Sequence, residues 1–166
     1  MTAGFAIAPA GGAADLADAA RLFRAYAQSL PIDLAYQGFE AELAALPGKY
    51  APPTGALLLA RGADGGAIGC VAMRPLEDRV CEMKRLWVQP SARGLGLGGA
   101  LIAAIVEAAR QADYAEMRLD TLPTMQAALA MYERAGFSRI ASYYPTPIED
   151  TVFLALILGS AQAPHD

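Results

Sequence analysis

A run of glycines at the start of a helical stretch is the part of the sequence that most clearly indicates chemistry. A strand-like segment ends at Val88, and the segment Arg93–Gly99, with four glycines in its last six positions, then opens a helix. Glycine permits positive φ angles and lets a ligand approach without a Cβ in the way. Backbone N–H groups that converge at a helix N-terminus favour phosphate, and Arg93 adds a permanent positive charge. We therefore predict a phosphate-binding loop, since a plain tight connection rarely needs this many glycines.

The glycine spacing satisfies two nucleotide patterns. Gly94, Gly96 and Gly99 match the dinucleotide fingerprint, and Glu116 and Asp120 lie near the spacing of its ribose-binding acid. That fingerprint, however, normally starts directly after a strand in a parallel βαβ unit, and here the preceding strand reads as half of an antiparallel hairpin. A phosphate-binding P-loop is excluded because no glycine-lysine-serine or glycine-lysine-threonine sequence occurs. Dinucleotide binding is therefore the weaker alternative.

The second pattern resembles a known family. The loop and the strand before it are similar to the acetyl-CoA signature of the GNAT superfamily of N-acetyltransferases, carried here by Leu86, Val88, Pro90, Arg93, Gly94, Gly96 and Gly98. A second motif of that family is matched about 30 residues downstream by Ala128, Met131, Tyr132, Gly136 and Phe137. The segments Glu82–Leu86 and Arg118–Thr121 further resemble a branch of small GNAT proteins of uncertain substrate. The resemblance covers nearly the whole chain.

The resemblance implies how the cofactor would bind. In the GNAT fold the strands Val80–Val88 and Ala115–Asp120 would splay apart, and the pantetheine arm of acetyl-CoA would lie between them. The pyrophosphate would rest on the amides of Leu95–Gly99, and no metal is implied. The residues expected to bind the cofactor are Leu86, Val88, Arg93, Gly94, Leu95, Gly96, Leu97, Gly98, Gly99 and Tyr132.

Transfer of an acetyl group to an amine requires a deprotonated amine, a donor for the oxyanion and a proton for the departing sulfur. Tyr132 matches the family position whose hydroxyl protonates the thiolate, although it could also be a tyrosine packed on the core. Glu82 is our candidate for the general base, acting through water, and a surface glutamate is an equally good interpretation. Asp120 is the second carboxylate candidate. The oxyanion donor would be a main-chain N–H near Leu86.

The sequence departs from the family pattern at two positions. Met125 stands where an asparagine commonly helps to bind the cofactor, and the chain contains no asparagine at all. Gly99 replaces a polar or basic residue that often follows the last loop glycine. Both departures remove possible cofactor contacts and leave the backbone cradle intact.

The sequence gives little indication of which residues bind the acceptor. In the GNAT fold it enters near the first two helices and the last hairpin, where aromatic and acidic side chains could form a pocket for a cationic amine. Ordinary loop packing explains the same residues equally well. The net charge of −4 weakly favours a cationic acceptor. The candidate residues are Tyr36, Tyr143, Tyr144 and Asp120, with Glu149 and Asp150 nearby.

The order of the predicted elements indicates one α/β domain over residues 1–159, followed by a flexible tail at 160–166. We expect a GNAT fold, with a mixed, largely antiparallel seven-stranded sheet flanked by about four helices. In the hairpin that turns near Glu77, simple register would place Cys70 opposite Arg85 and Cys81 opposite Arg74, leaving both thiols unpaired. Strict alternation would place Glu82, Lys84, Leu86 and Val88 on one face of their strand.

Composition excludes several classes of function. The only histidine is His165, so a serine hydrolase triad or a histidine-ligated zinc site has no imidazole in the core. Thirteen basic residues against 17 acidic ones, with no basic run, argue against a nucleic-acid surface. The apolar runs are too short for a membrane span, and the N-terminus lacks a signal peptide's charged start.

These observations predict a cytoplasmic N-acetyltransferase that uses acetyl-CoA and acts by direct transfer to an amine of a small molecule or peptide. A different class of protein remains open, a GNAT-like module that binds acyl-CoA as a sensor without turnover. The resemblance also makes a homodimer one of the expected assemblies.

Overall fold

A seven-stranded sheet with helices on both faces forms the body of the protein. The computed structural model describes residues 4–31, 33–34 and 38–159. The predicted acceptor residue Tyr36 and the predicted tail at 160–166 therefore lie outside the described residues. The elements are β1 Phe5–Pro9, α1 Gly12–Ser29, α2 Phe39–Ala44, β2 Ala56–Gly62, β3 Ala67–Glu77, β4 Val80–Val88, α3 Leu97–Gln111, β5 Glu116–Thr121, α4 Gln126–Arg134, β6 Ser138–Ile140 and β7 Val152–Ile157.

The sheet is mixed, as the sequence predicted. Its strand order is β1-β2-β3-β4-β5-β7-β6, and every neighbouring pair is antiparallel except β4 and β5, which run parallel. A parallel pair needs a crossover connection, and α3 supplies it. The predicted GNAT-type sheet and four helices are thus confirmed.

Each face of the sheet buries its own apolar cluster. On one face, α3 packs Leu101, Ile102 and Ile105 against β2–β5. On the other face, α1 and α2 bring Leu22, Phe23 and other apolar side chains onto β2 and β3. In α3 the buried residues recur at helical spacing, so the apolar stripe of the sequence became the packed side of the helix.

Some element boundaries differ from those that the sequence suggested. α3 begins at Leu97 and not at Ala100, because Gly96 adopts the left-handed conformation just before the helix. The strand predicted over 137–144 is only Ser138–Ile140. Beyond it, the side chains of Tyr143 and Tyr144 are directed to carboxylates on β4 and β5, and the backbone is no longer part of the ladder. Gly136, with φ +103°, follows the end of α4 as predicted.

The β3–β4 hairpin contains two bulges that the sequence did not reveal. Cys70 lies opposite Trp87 and Cys81 opposite Pro75, so the predicted partners Arg85 and Arg74 are wrong. Both cysteines are nevertheless buried and free, and the Cys70 thiol donates a hydrogen bond to the carbonyl oxygen of Arg85 at 3.2 Å. The prediction of unpaired structural thiols is therefore confirmed.

The bulge in β4 is centred on Arg85, which has φ +62°. Lys84 pairs with Ala72 and Trp87 with Cys70, so two residues of β4 face one residue of β3. Side-chain alternation is reset at this point, because a bulge inserts one extra residue. Glu82 and Lys84 lie on the α1/α2 face, whereas Leu86 and Val88 pack with the α3 cluster. The predicted common face for these four residues is therefore wrong.

Candidate active site

An opening in the sheet lies between β4 and β5. The two strands pair only from Val80–Glu116 to Glu82–Arg118, although β4 continues to Val88 and β5 to Thr121. The bulge at Arg85 falls in the unpaired part of β4, where it bends the strand. This is the splay that the resemblance implied, and it leaves one edge of β4 without a strand partner on the β5 side.

A narrow cavity occupies this opening. β4 contributes Lys84 and Leu86 to its wall, β5 contributes Asp120, and α4 contributes Tyr132. The remaining walls come chiefly from Tyr26 and Leu30 at the C-terminal end of α1, from Leu122 and Met125 before α4, and from Ala128 within α4. The structure therefore brings together three predicted site residues that are distant in sequence, namely Leu86, Asp120 and Tyr132.

Tyr132 lies on the buried side of α4. It is 7% exposed, and its ring packs edge-on against Phe137 with 6.0 Å between the ring centroids. Burial raises the pKa of the Tyr132 hydroxyl, and Tyr26 and Asp120 act in the same direction. The hydroxyl therefore keeps its proton throughout the neutral range, which is the state that a proton donor needs.

Glu82 lies at the closed end of the opening, where the strands still pair. It is 2% exposed, and both of its oxygens are engaged. Oε1 accepts hydrogen bonds from Arg74 at 2.9 Å, and Oε2 accepts one from the Tyr143 hydroxyl at 2.6 Å. Burial and the charge of Glu82 raise the pKa of Tyr143, so this phenol stays a donor. The predicted base is thus held in a buried network.

Asp120 faces the cavity from β5 and accepts a hydrogen bond from the Tyr144 hydroxyl. Tyr143, Tyr144 and Phe153 form a cluster of aromatic rings, with centroids 5.1–5.5 Å apart. The structure therefore brings three of the four predicted acceptor residues to the same side of the opening as Glu82.

Two basic residues of β4 had no functional role in the sequence prediction, although they belong to the segment that carried the family resemblance. Arg85 forms a two-point ion pair with Glu42 of α2, at 2.8 and 2.9 Å, and its guanidinium lies 5.2 Å from the Phe39 ring centroid. Burial alone would lower the pKa of Arg85. The hydrogen bonds and the charge of Glu42 outweigh this effect, so the pKa of Arg85 is raised. Lys84 lines the cavity, and burial lowers its pKa against the attraction of Glu82 and Asp120. A lysine-arginine pair inside a buried strand was the signal that could have identified them.

The glycine loop supplies a backbone cradle beside the opening. Gly94 has φ +86° and Gly96 has φ +80°, and a Cβ at either position would point into open space. The first N–H of α3 that bonds back along the chain is that of Ala100, which donates to the Gly96 carbonyl oxygen. The amides of Leu97, Gly98 and Gly99 precede it at the helix N-terminus, where they favour an anion. The loop therefore fits a phosphate group.

Arg93 is anchored at the edge of this cradle. Its Nε donates to the Val88 carbonyl oxygen at 3.0 Å, and its guanidinium lies 4.8 Å from the centroid of the Trp87 ring. These contacts hold a positive charge next to the loop. Within the described residues no cluster of three metal-ligating side chains occurs, and no helix is long and apolar enough to cross a membrane.

The sheet opening, the buried tyrosine and the glycine cradle lie where the GNAT resemblance implied them, and the family itself is shown by comparison with known sequences. The model of the Acetyltransferase (GNAT) family matches residues 20–137. An uncharacterized N-acetyltransferase of Schizosaccharomyces pombe is 41% identical over 143 residues, covering 86% of this chain and 88% of the relative. The chain therefore belongs to the GNAT acetyltransferase family.

Solved structures share this architecture. A Klebsiella pneumoniae protein assigned as an acyl-CoA N-acyltransferase is 31% identical, with a TM-score of 0.73 over 95% of this chain and 99% of that one. A Salmonella typhimurium protein assigned as an acetyltransferase, solved with its cofactor acetyl-CoA, is 19% identical. Its TM-score is 0.66, with 98% of each chain covered, and at this identity the similarity shows the fold alone.

Proposed function

We propose that this protein is an N-acetyltransferase that uses acetyl-CoA and transfers the acetyl group to an amine by direct attack in a ternary complex. One observation carries the proposal, the opening between β4 and β5 whose cavity is lined by both Leu86 and Tyr132. Family membership and the acetyl-CoA-bound structural relative support the choice of donor.

The cofactor-binding residues follow from this arrangement. The unpaired edge of β4 at Leu86 and Val88 offers backbone groups to the pantetheine arm, and the amides of Leu95–Gly99 offer donors to the pyrophosphate. Acetyl-CoA supplies an activated thioester. Because its phosphates are dianionic or more, they need dense donors without intruding side chains, and Gly94 and Gly96 leave that space open.

The chain's own residues would handle the protons. As the amine nitrogen bonds to the carbonyl carbon, the oxyanion requires a donor, which we assign to a main-chain N–H near Leu86. The oxyanion then returns to a carbonyl as the carbon–sulfur bond breaks and its electron pair goes to sulfur. Tyr132 gives the thiolate a proton, and the proton that the base took from the amine returns through water to the Tyr132 oxygen. A thiol with a pKa of about 8.5 is a good leaving group, so hydrogen bonding from a phenol suffices to assist it.

A carboxylate would accept the proton that the amine releases. We keep Glu82 as the general base acting through water, with Asp120 as the second candidate. Asp120 lines the cavity directly, whereas Glu82 would act from the closed end through its hydrogen-bond network with Tyr143. Replacing each by its amide separates the two, because loss of the base lowers kcat at saturating acceptor by about 100-fold or more, whereas loss of the other carboxylate does not.

The test measures binding and turnover separately. Thermal shift with acetyl-CoA, CoA and NAD reports the ligand, and thiol release with a panel of amines, amino acids, polyamines and peptides reports turnover. We expect both CoA compounds to stabilise the protein and at least one amine to release thiol. Stabilisation by NAD alone would refute the assignment. Stabilisation by acetyl-CoA with no thiol release would favour the acyl-CoA-binding sensor. Cytoplasmic location, a homodimer and the lack of a nucleic-acid partner stay predictions.

A further inference from the structure

The charged side chains on the α1/α2 face of the sheet opening fall into two groups. Arg74 pairs with Glu82, and Arg85 pairs with Glu42, each with at least one contact of 2.9 Å or less. These two pairs balance their own charges. Lys84 and Asp120 line the cavity with opposite charges from β4 and from β5, and Arg85, held by Glu42, lines it next to Lys84.

Lys84 and Asp120 also occupy equivalent places on the two strands. Glu82 and Arg118 are the last paired residues of β4 and β5. Lys84 and Asp120 each lie two residues further along, so they share the face of Glu82 and Arg118. Because the strands begin to separate there, the two side chains lie on opposite edges of the opening, just beyond its closed end. The cavity thus has one cationic wall and one anionic wall.

The environment of each residue suits a ligand of opposite charge. Burial works against the charge of Lys84 and lowers its pKa, although Glu82 and Asp120 oppose that effect. A carboxylate that entered the cavity would add a further countercharge at this buried ammonium. Asp120 is fixed by the Tyr144 hydroxyl, and Tyr144 packs against Phe153, so its carboxylate is oriented before a ligand arrives.

We propose that the acceptor is a small zwitterionic amino acid, whose carboxylate is bound by Lys84 and whose amine is directed by Asp120 towards the thioester. This inference rests on the proposed function and specifies its substrate class. It replaces the cationic acceptor that net charge had weakly favoured, because a polyamine in this cavity would bring a second cation against the buried ammonium of Lys84. An acceptor that carries only a positive charge, or only a negative charge, would leave one charged wall of the cavity without an opposite charge on the ligand.

The experiment compares matched acceptors. Thiol release with acetyl-CoA is measured for a panel of amino acids, for their amides and for the amines that decarboxylation would give. The best amino acid is expected to exceed its decarboxylated amine in kcat/KM by about 100-fold, the range for losing one partner of a buried charge pair. Amides and decarboxylated amines that react as well as the amino acids would overturn the proposal.

Variants test the residue itself. Lys84→Met should reduce the preference for the carboxylate to a few-fold, mainly through KM, and Lys84→Arg should restore part of it. Lys49, the only other lysine of the chain and an exposed one, gives the control Lys49→Met, which should keep the full preference. Thermal unfolding of each variant checks that it folds. A Lys84→Met protein that is folded, active and still selective for the carboxylate would refute the assignment.

Failure of turnover is distinguishable from failure of this inference. If acetyl-CoA binds but no acceptor releases thiol, the transferase proposal fails. Equilibrium binding of the same panel to the CoA-saturated protein then decides the acceptor class. Amino acids that bind to the wild-type protein and not to Lys84→Met support the proposal, whereas equal binding to both proteins, or to neither, overturns it.

Discussion

Three tyrosine hydroxyls near the sheet opening have different environments. Tyr143 donates to Glu82 and Tyr144 donates to Asp120, so both hold carboxylates in place. Tyr132 instead lines the cavity from α4 beside Leu86. The residue type alone does not separate these roles, because a phenol can orient a base or donate a proton depending on what it contacts.

Replacing the hydroxyl of Tyr132 should slow the chemical step. Tyr132→Phe keeps the buried ring and removes the proton donor, so we expect kcat to fall by about 100-fold. The Kd for CoA should rise by no more than about threefold in a direct titration, because phenylalanine keeps the ring that lines the cavity. Tyr114→Phe is the matched control, because Tyr114 is also buried and donates to the Thr54 carbonyl oxygen. That variant should lose about 1 kcal/mol of unfolding free energy and keep its kcat. Full turnover by Tyr132→Phe would reject Tyr132 as the acid.

The two thiols should be unreactive in the folded protein. Burial raises the pKa of Cys81 to about 12 and raises that of Cys70 as well. At pH 8 both are therefore protonated, and the thiolate is the reactive form. Ellman's reagent should modify neither cysteine before unfolding and both in denaturant. Rapid modification of either one in the native protein would contradict the burial seen here.

At the scale of elements, the glycines around the start of α3 differ in why a glycine is needed at each position. Gly94 and Gly96 adopt positive φ, which side chains tolerate poorly. A Cβ at Gly98 would come within 2.6 Å of the Met131 sulfur, so this glycine permits close packing of α3 on α4. Gly99 meets nothing within 4 Å and has an ordinary φ. Of these four glycines, only Gly94 and Gly96 are therefore required by the backbone conformation.

This difference gives a paired test of the loop. Gly96→Val should raise the Kd for CoA at least tenfold and destabilise the fold by about 1–2 kcal/mol, because the left-handed conformation is strained. Gly99→Ala should leave the Kd within about threefold and stabilise α3 by about 0.5–1 kcal/mol. Isothermal titration and urea unfolding measure both quantities. An unchanged CoA affinity in Gly96→Val would show that the pyrophosphate binds elsewhere.

At the scale of the whole molecule, the Glu42–Arg85 pair ties the short helix α2 to the strand that carries the site. The two side chains are 17% and 2% exposed, and 43 positions separate them in the chain. The pair therefore connects the α1/α2 layer to the bulge of β4. Breaking a buried pair from one side leaves an uncompensated charge, which is strongly destabilising.

Glu42 should consequently make folding stability depend on pH. Burial would raise its pKa, but the hydrogen bonds and charge of Arg85 dominate and lower it below its usual value of 4.5. Its stabilising contribution is thus complete above pH 4.5 and is lost as the pH falls through the lower folded pKa. Glu42→Gln should cost about 3 kcal/mol at pH 7, and its difference from wild type should shrink below that range.

Urea unfolding between pH 3 and pH 7 measures this effect. Glu40→Gln, on the exposed side of the same helix, is the control and should change stability by less than about 0.5 kcal/mol. A difference between wild type and Glu42→Gln that stays constant down to pH 3 would mean that the carboxylate charge does not stabilise the fold.

Local sequence signals predicted most of the fold. The hydrophobic periodicity of α1 and α3, the break at Gly136 and the alternating strands all reflect preferences within a few residues of chain, and they were confirmed. The predictions failed where an extra residue entered a ladder. The bulge at Arg85 moved Leu86 to the opposite face and changed the partner of Cys70, whereas the second bulge, between Pro75 and Glu77, changed the partner of Cys81. A bulge depends on the pairing of two strands, so one strand's pattern cannot show it.

The sequence by itself identified the family of this protein and predicted a phosphate-binding loop and the candidate acid Tyr132, because short motifs encode backbone geometry locally. Only the tertiary structure decided how the charges are distributed. Glu82 meets Tyr143 across 61 positions and Arg85 meets Glu42 across 43, and Lys84, Arg85 and Asp120 come together in the lining of one cavity. Charge pairing depends on distance in space, and a parallel pair of strands that separates halfway sets those distances.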